Sequence, residues 1–160
     1  MDEARPGVTP TLAAFLSTGG FGALSICGLG FASLLTDTDV VATRGLGNIA
    51  GVVGFCLSVA VLQLLLLWAL RQPRPTYGAA AWSAGAVYLA YPFGLALGAV
   101  FTGVDPARAV AASGAFALSW FALVLAAAAA IAGWVAVALV RTRAHRPEWP
   151  WEREDDDGES

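Results

Sequence analysis

Apolar residues along this chain fall into four long stretches, roughly Thr11–Leu35, Gly45–Leu70, Ala79–Thr102 and Ser113–Val140, and none of them contains an acidic or basic side chain (Asp, Glu, Lys, Arg or His). Each exceeds the roughly 20 residues that a helix needs to cross a bilayer's hydrocarbon core. The strict alternation of a barrel strand is missing, and such a strand needs only about 10 residues. Backbone polar groups in lipid must find their partners within the segment, which leaves helices. The pattern therefore predicts an all-α integral membrane protein with four transmembrane helices paired as two hairpins. Residues 1–10 form a short N-terminal segment, residues 11–140 the four-helix transmembrane bundle, and residues 141–160 a basic-then-acidic tail, its acidic end too polar to fold alone.

Composition supports the same reading. The 160 residues are 58% apolar and 13% charged, about half of the roughly 25% charge of an ordinary soluble domain. Net charge is −3, and no basic patch spans more than a few residues, which argues against nucleic acid as a partner. The lipid bilayer is the expected one. The first stretch is read as retained rather than as a cleaved leader: its preceding residues are acidic, and it is longer than an ordinary signal core.

The arginines set an expected orientation. Arg5, Arg71, Arg74, Arg141, Arg143, Arg146 and Arg153 lie on one side of the spans, Arg44 and Arg108 on the other, and there is no lysine. The positive-inside rule then places both termini and the middle loop in the cytoplasm of a multi-pass cell-membrane protein. Trp68, Tyr77, Trp82 and, deeper, Trp134 gather on the arginine-rich side, where amphipathic rings favour the interface. An alanine-, glycine- and arginine-rich chain without lysine is a compositional pointer to a bacterium with a GC-rich genome.

The two hairpin turns look alike. Thr36-Asp-Thr-Asp39 and Thr102-Gly-Val-Asp105 share a Thr-x-x-Asp pattern, with Asp39 and Asp105 placed as N-caps and Pro106 at a first helical position. Either a duplication or convergence on a common capping solution produces this. Between the hairpins, two prolines and a glycine in Arg71-Gln-Pro-Arg-Pro-Thr-Tyr-Gly78 stop one helix and allow the next.

Small residues mark the expected packing faces, because helices in lipid associate by close approach rather than by a hydrophobic drive. Gly47, Gly51 and Gly54 align on the second span, and Gly94 and Gly98 on the third. They mate within one molecule or form a homodimer surface. Pro92 lies mid-span and removes a helical donor, so a kink is expected there. With Tyr88 and Tyr91 beside it, this is the candidate kink or pocket, and Gln63 is the long polar side chain deep in a span. Gln63 and Trp134 lie at similar depth and suggest an interhelical hydrogen bond.

Chemistry is sparse. An intramembrane acid or base, the mark of proton-coupled transport, is absent from the stretches. His145 is the only histidine and no cysteine is near it in sequence, so neither a metal nor another cofactor is expected. A nucleophile would lack an embedded base, and the expectation is a protein that is not an enzyme. Cys27 and Cys56 fall at similar depth, either as a redox pair or, more simply, as small packing residues. In the tail, Trp149 and Trp151 stand beside Pro147 and Pro150 and suit either the headgroup zone or a partner's pocket.

The sequence thus favours a non-catalytic accessory or scaffold component that packs against another membrane protein. The alternative is a small transport or channel subunit for an uncharged or apolar solute.

Overall fold

The computed structural model describes residues 8–37, 47–72 and 75–141. They form five α-helices: α1 (Pro10–Thr36), α2 (Gly47–Leu70), α3 (Gly78–Phe101), α4 (Pro106–Ala117) and α5 (Trp120–Arg141). Four helices, Pro10–Thr36, Asn48–Leu70, Gly78–Phe101 and Trp120–Arg141, are long and apolar enough to cross a membrane. The all-helical class and the four spans match the sequence reading.

Local chemistry sets the helix ends. Thr9 caps α1 by accepting from the Leu12 amide at 3.3 Å, with Pro10 at the first position. At the other end Asp37 takes the left-handed conformation (φ 50°) and its amide donates to the Ser33 carbonyl, a geometry that Asp tolerates better than most residues. The threonines of the two turns do the same work. Thr36 Oγ1 donates to the Ala32 carbonyl, and Thr102 Oγ1 donates to those of Gly98 and Ala99. Gly103 (φ 84°) then reverses the chain, and Asp105 caps α4 by accepting from the amides of Ala107 and Arg108. The predicted cap at Asp39 lies outside the described residues.

The fourth stretch departs from expectation. One helix over 113–140 was expected; instead α4 begins at Pro106, and the helix is interrupted at Leu118 and Ser119 before α5. Side chains take up the carbonyls at the break: Ser119 Oγ donates to Phe116 O at 2.6 Å, and the Tyr88 hydroxyl of α3 donates to Ala117 O at 2.7 Å. No proline or glycine stands at the break, so the stretch reads as continuous from sequence alone. The two hairpins also differ in this respect, since α2 runs unbroken from Gly47 to Leu70.

Helices α1, α2, α3 and α5 form a ring in which α2–α3 is the most extensive seam, followed by α3–α5 and α1–α5. The α1–α2 seam is smaller, α2 and α5 touch slightly across the middle, and α1 does not meet α3 among the described residues. Helix α4 leans on α3. Phe21, Leu62, Leu66, Val87, Leu95, Leu125 and Val137 fill the interior. Leu34, Phe101 and Leu118 stand largely exposed outside, the arrangement expected where lipid rather than water surrounds the bundle. Arg71 and Arg141 mark one end of the ring, the arginine end, and Asp37 and Asp105 mark the other, the aspartate end.

Candidate functional site

The tightest backbone approach lies between α2 and α3. A Cβ built on Gly94 would stand 2.7 Å from Gly54 Cα, one on Gly54 2.9 Å from the Tyr91 carbonyl oxygen, and one on Gly98 2.8 Å from Ala50 Cα. No real Cβ fits at such distances, so these glycines let the two backbones touch, the interaction that holds helices together in lipid. Of the packing residues read from sequence, Gly54, Gly94 and Gly98 are thus joined within one molecule. Gly51 is half-buried; Gly47 opens α2, and its surroundings lie outside the described residues. Two further glycines do equal work at other seams. Gly133 of α5 seats on Ala80 and Ser83 of α3, and Gly28 of α1 meets Val124 of α5.

Pro92 lies within α3, which continues from Gly78 to Phe101. Tyr88 and Tyr91, within the turn before it, both reach α4. The Tyr88 hydroxyl is committed to Ala117 O, and the Tyr91 ring stacks on Phe116 with centroids 4.4 Å apart and planes inclined by 27°. Together they fasten the end of the half-length helix α4 to the middle of α3.

Gln63 belongs to a different set. Both polar atoms of its amide are buried without a hydrogen-bond partner, and so are Ser17 Oγ, Thr18 Oγ1 and Ser25 Oγ of α1. The hydrogen bond to Trp134 suggested by similar depth is not made. Trp134 follows Gly133, whose face meets α3, and so turns outward; it is 55% exposed and stacks on Tyr77 with centroids 6.2 Å apart. Arg141 Cζ lies 5.2 Å from the Tyr77 ring centroid on the same side, a cation–π contact that ties the end of α5 to the start of α3. The α1 hydroxyls were missed from sequence, although Ala14, Ser17, Thr18, Phe21, Ser25 and Gly28 follow helical spacing along one stripe.

Cys27 and Cys56 are free and both are exposed on the outer face. They neither pair nor pack in the interior, because depth alone does not fix the direction in which a helical side chain faces. Trp149, Trp151, His145, Arg44 and the tail from residue 142 lie outside the described residues.

A family model described as a family of unknown function (DUF6121) matches residues 1–159. The chain belongs to the DUF6121 family. No curated protein matches this DUF6121 chain, and no solved structure does. What the DUF6121 bundle offers chemically is therefore read from its own residues. Among those described, no three of His, Cys, Asp and Glu come together. Among the described residues of α1, α2, α3 and α5, the buried polar side-chain atoms belong to neutral serine and threonine hydroxyls and the Gln63 amide.

Proposed function

We propose that this protein is a non-catalytic accessory component of the cell membrane, with both termini in the cytoplasm, that packs against another membrane protein. The observation that supports this reading is the outward face of α1. A Cβ on Gly19, Gly20, Gly22 or Gly30 would meet nothing within 4 Å, whereas Gly28, Gly54, Gly94, Gly98 and Gly133 all seat against a neighbouring helix. A glycine inside a helix costs about 1 kcal/mol relative to alanine. Gly19, Gly22 and Gly30, with Ala23 and Ile26, fall on the side of α1 opposite its buried stripe. A helix of a second protein can approach there as closely as α2 approaches α3.

A photoreactive residue placed at Ile26, which is 69% exposed, tests this in cells. The expected result is one membrane-protein adduct, lost when Gly19 and Gly30 are replaced by leucine, with no adduct from the equally exposed Leu89 of α3. Adducts with lipid alone defeat the proposal, and a self-adduct converts it to a homodimer. Reporter fusions after Ser160 check the orientation.

A transport or channel role for an uncharged solute has its own support in the unpartnered polar atoms of α1 and α2.

A further inference from the structure

Three side chains meet where α3 and α5 reach the arginine end. Gly133 seats α5 on Ala80 and Ser83 of α3, and this register brings both Trp134 and Arg141 to Tyr77. The Tyr77 ring lies 6.2 Å from the Trp134 ring, centroid to centroid, and 5.2 Å from Arg141 Cζ. Trp134 and Arg141 are seven residues apart, which advances a helix by about 10.5 Å and returns it to nearly the same face. That rise is close to the two contacts taken together, so the ring sits between the indole and the guanidinium. All three side chains are exposed.

Arg141 is held in place but not neutralised. Its contact with Tyr77 sets the charge against an aromatic ring, and its N–H groups have no acceptor among the described residues. Those residues give the arginine end Arg71 and Arg141 and no acid, since Asp37 and Asp105 mark the other end. Trp68 and Trp82 are also exposed at this end, and such rings settle at the level of lipid headgroups. Lying beyond Trp134 along α5, Arg141 reaches the phosphate layer. A planar guanidinium with its direction fixed suits the paired oxygens of a phosphate better than a flexible ammonium does. Toward the membrane interior, the same stripe of α5 continues through Ile131, Ala127 and Leu123, spaced as one helical face and all exposed. It gives an acyl chain an apolar track that leads to the cation.

We propose that Arg141, steadied by Tyr77 and flanked by Trp134, forms a site at the edge of the α3–α5 seam for the phosphate of an anionic phospholipid. The lipid's acyl chain lies along Ile131 and Ala127. A zwitterionic headgroup would bring its own cation to an end that offers it no acid among the described residues. The site is independent of the accessory role proposed above, which uses the far side of α1.

The test uses the full chain in dodecyl maltoside micelles, offered phosphatidylglycerol or phosphatidylcholine with identical acyl chains, with bound lipid read by native mass spectrometry. The unaltered chain should hold phosphatidylglycerol roughly tenfold more tightly, the equilibrium value of one hydrogen bond to a charged group. Arg141→Gln should abolish this preference and Tyr77→Leu should weaken it, whereas Arg71→Gln should leave it largely intact. Equal retention of the two lipids by the unaltered chain overturns the proposal. So does an equal loss in Arg141→Gln and Arg71→Gln, which marks a diffuse positive surface, and so does displacement of the lipid by inorganic phosphate, which marks a site for a free anion. Arg141→Gln also removes a tie between α5 and α3, so a second measurement separates binding from folding. Each protein is melted in mixed micelles with phosphatidylcholine and again with phosphatidylglycerol. Exchanging the first lipid for the second should raise the melting temperature of the unaltered chain and of Arg71→Gln, but not of Arg141→Gln, whatever their starting values. The same response in all three proteins overturns the proposal.

Discussion

The Tyr88 hydroxyl donates to the main-chain carbonyl of Ala117 across 2.7 Å, joining the middle of α3 to the last residue of α4. The bond stands where α4 stops and α5 has not begun, so it occupies a carbonyl at the interruption. Tyr88→Phe should destabilise the bundle by about 1 kcal/mol, within the range of interhelical hydrogen bonds in membrane proteins. Hydrogen exchange should rise selectively at the amides around Leu118 and Ser119. Denaturant titration in mixed micelles, with exchange read by mass spectrometry, checks both.

Tyr91 is held to Phe116 by ring stacking, and Tyr91→Leu should cost about 0.5–1.5 kcal/mol beyond its lost buried area. Combined with Tyr88→Phe, the loss should exceed the sum of the singles, since both residues fasten the same end of α4. A double-mutant cycle measures the excess; strict additivity would show that the two contacts act separately.

Glycines divide sharply by position. Gly94→Ala places a methyl 2.7 Å from Gly54 Cα and should cost about 1–3 kcal/mol as the α2–α3 seam is forced apart. Gly85→Ala and Gly114→Ala, where nothing lies within 4 Å, should be neutral or stabilising by up to about 1 kcal/mol. Melting temperatures in one detergent decide between the two outcomes.

Asp105 accepts two amides of the first turn of α4, at 3.0 and 3.2 Å. Asp105→Ala should cost about 1 kcal/mol, and Asp105→Asn much less, because both aspartate and asparagine cap well. Proteolysis at the aspartate end should quicken for the alanine variant alone.

Legibility in the sequence followed the physics of each feature. Span lengths come from continuous apolar runs, which need no knowledge of neighbours, and the four spans were readable. The Asp105 cap and the Gly94/Gly98 seam were readable for the same reason: spacing along one helix determines them. The interruption at Leu118 and Ser119 was not, because its stabilising donor, Tyr88, is distant in sequence and nothing local breaks the helix. The outward turn of Trp134 and the exposure of Cys27 and Cys56 were equally hidden, since depth is written in residue number but facing is decided by which helices become neighbours. The unpartnered hydroxyls of Ser17, Thr18 and Ser25 became visible only against Ser58, Ser83 and Ser113, which look identical to them in sequence but each donate to the carbonyl four residues earlier.

The first helix finds its larger seam on the last one, α5, and only a lesser seam on α2. During synthesis α1 leaves the ribosome long before α5 exists, so the larger of its two seams stays uncovered until the last of the five helices is inserted. Closure of the ring therefore waits for α5. A nascent chain halted after Phe101 should retain the α2–α3 pair while leaving α1 loosely attached.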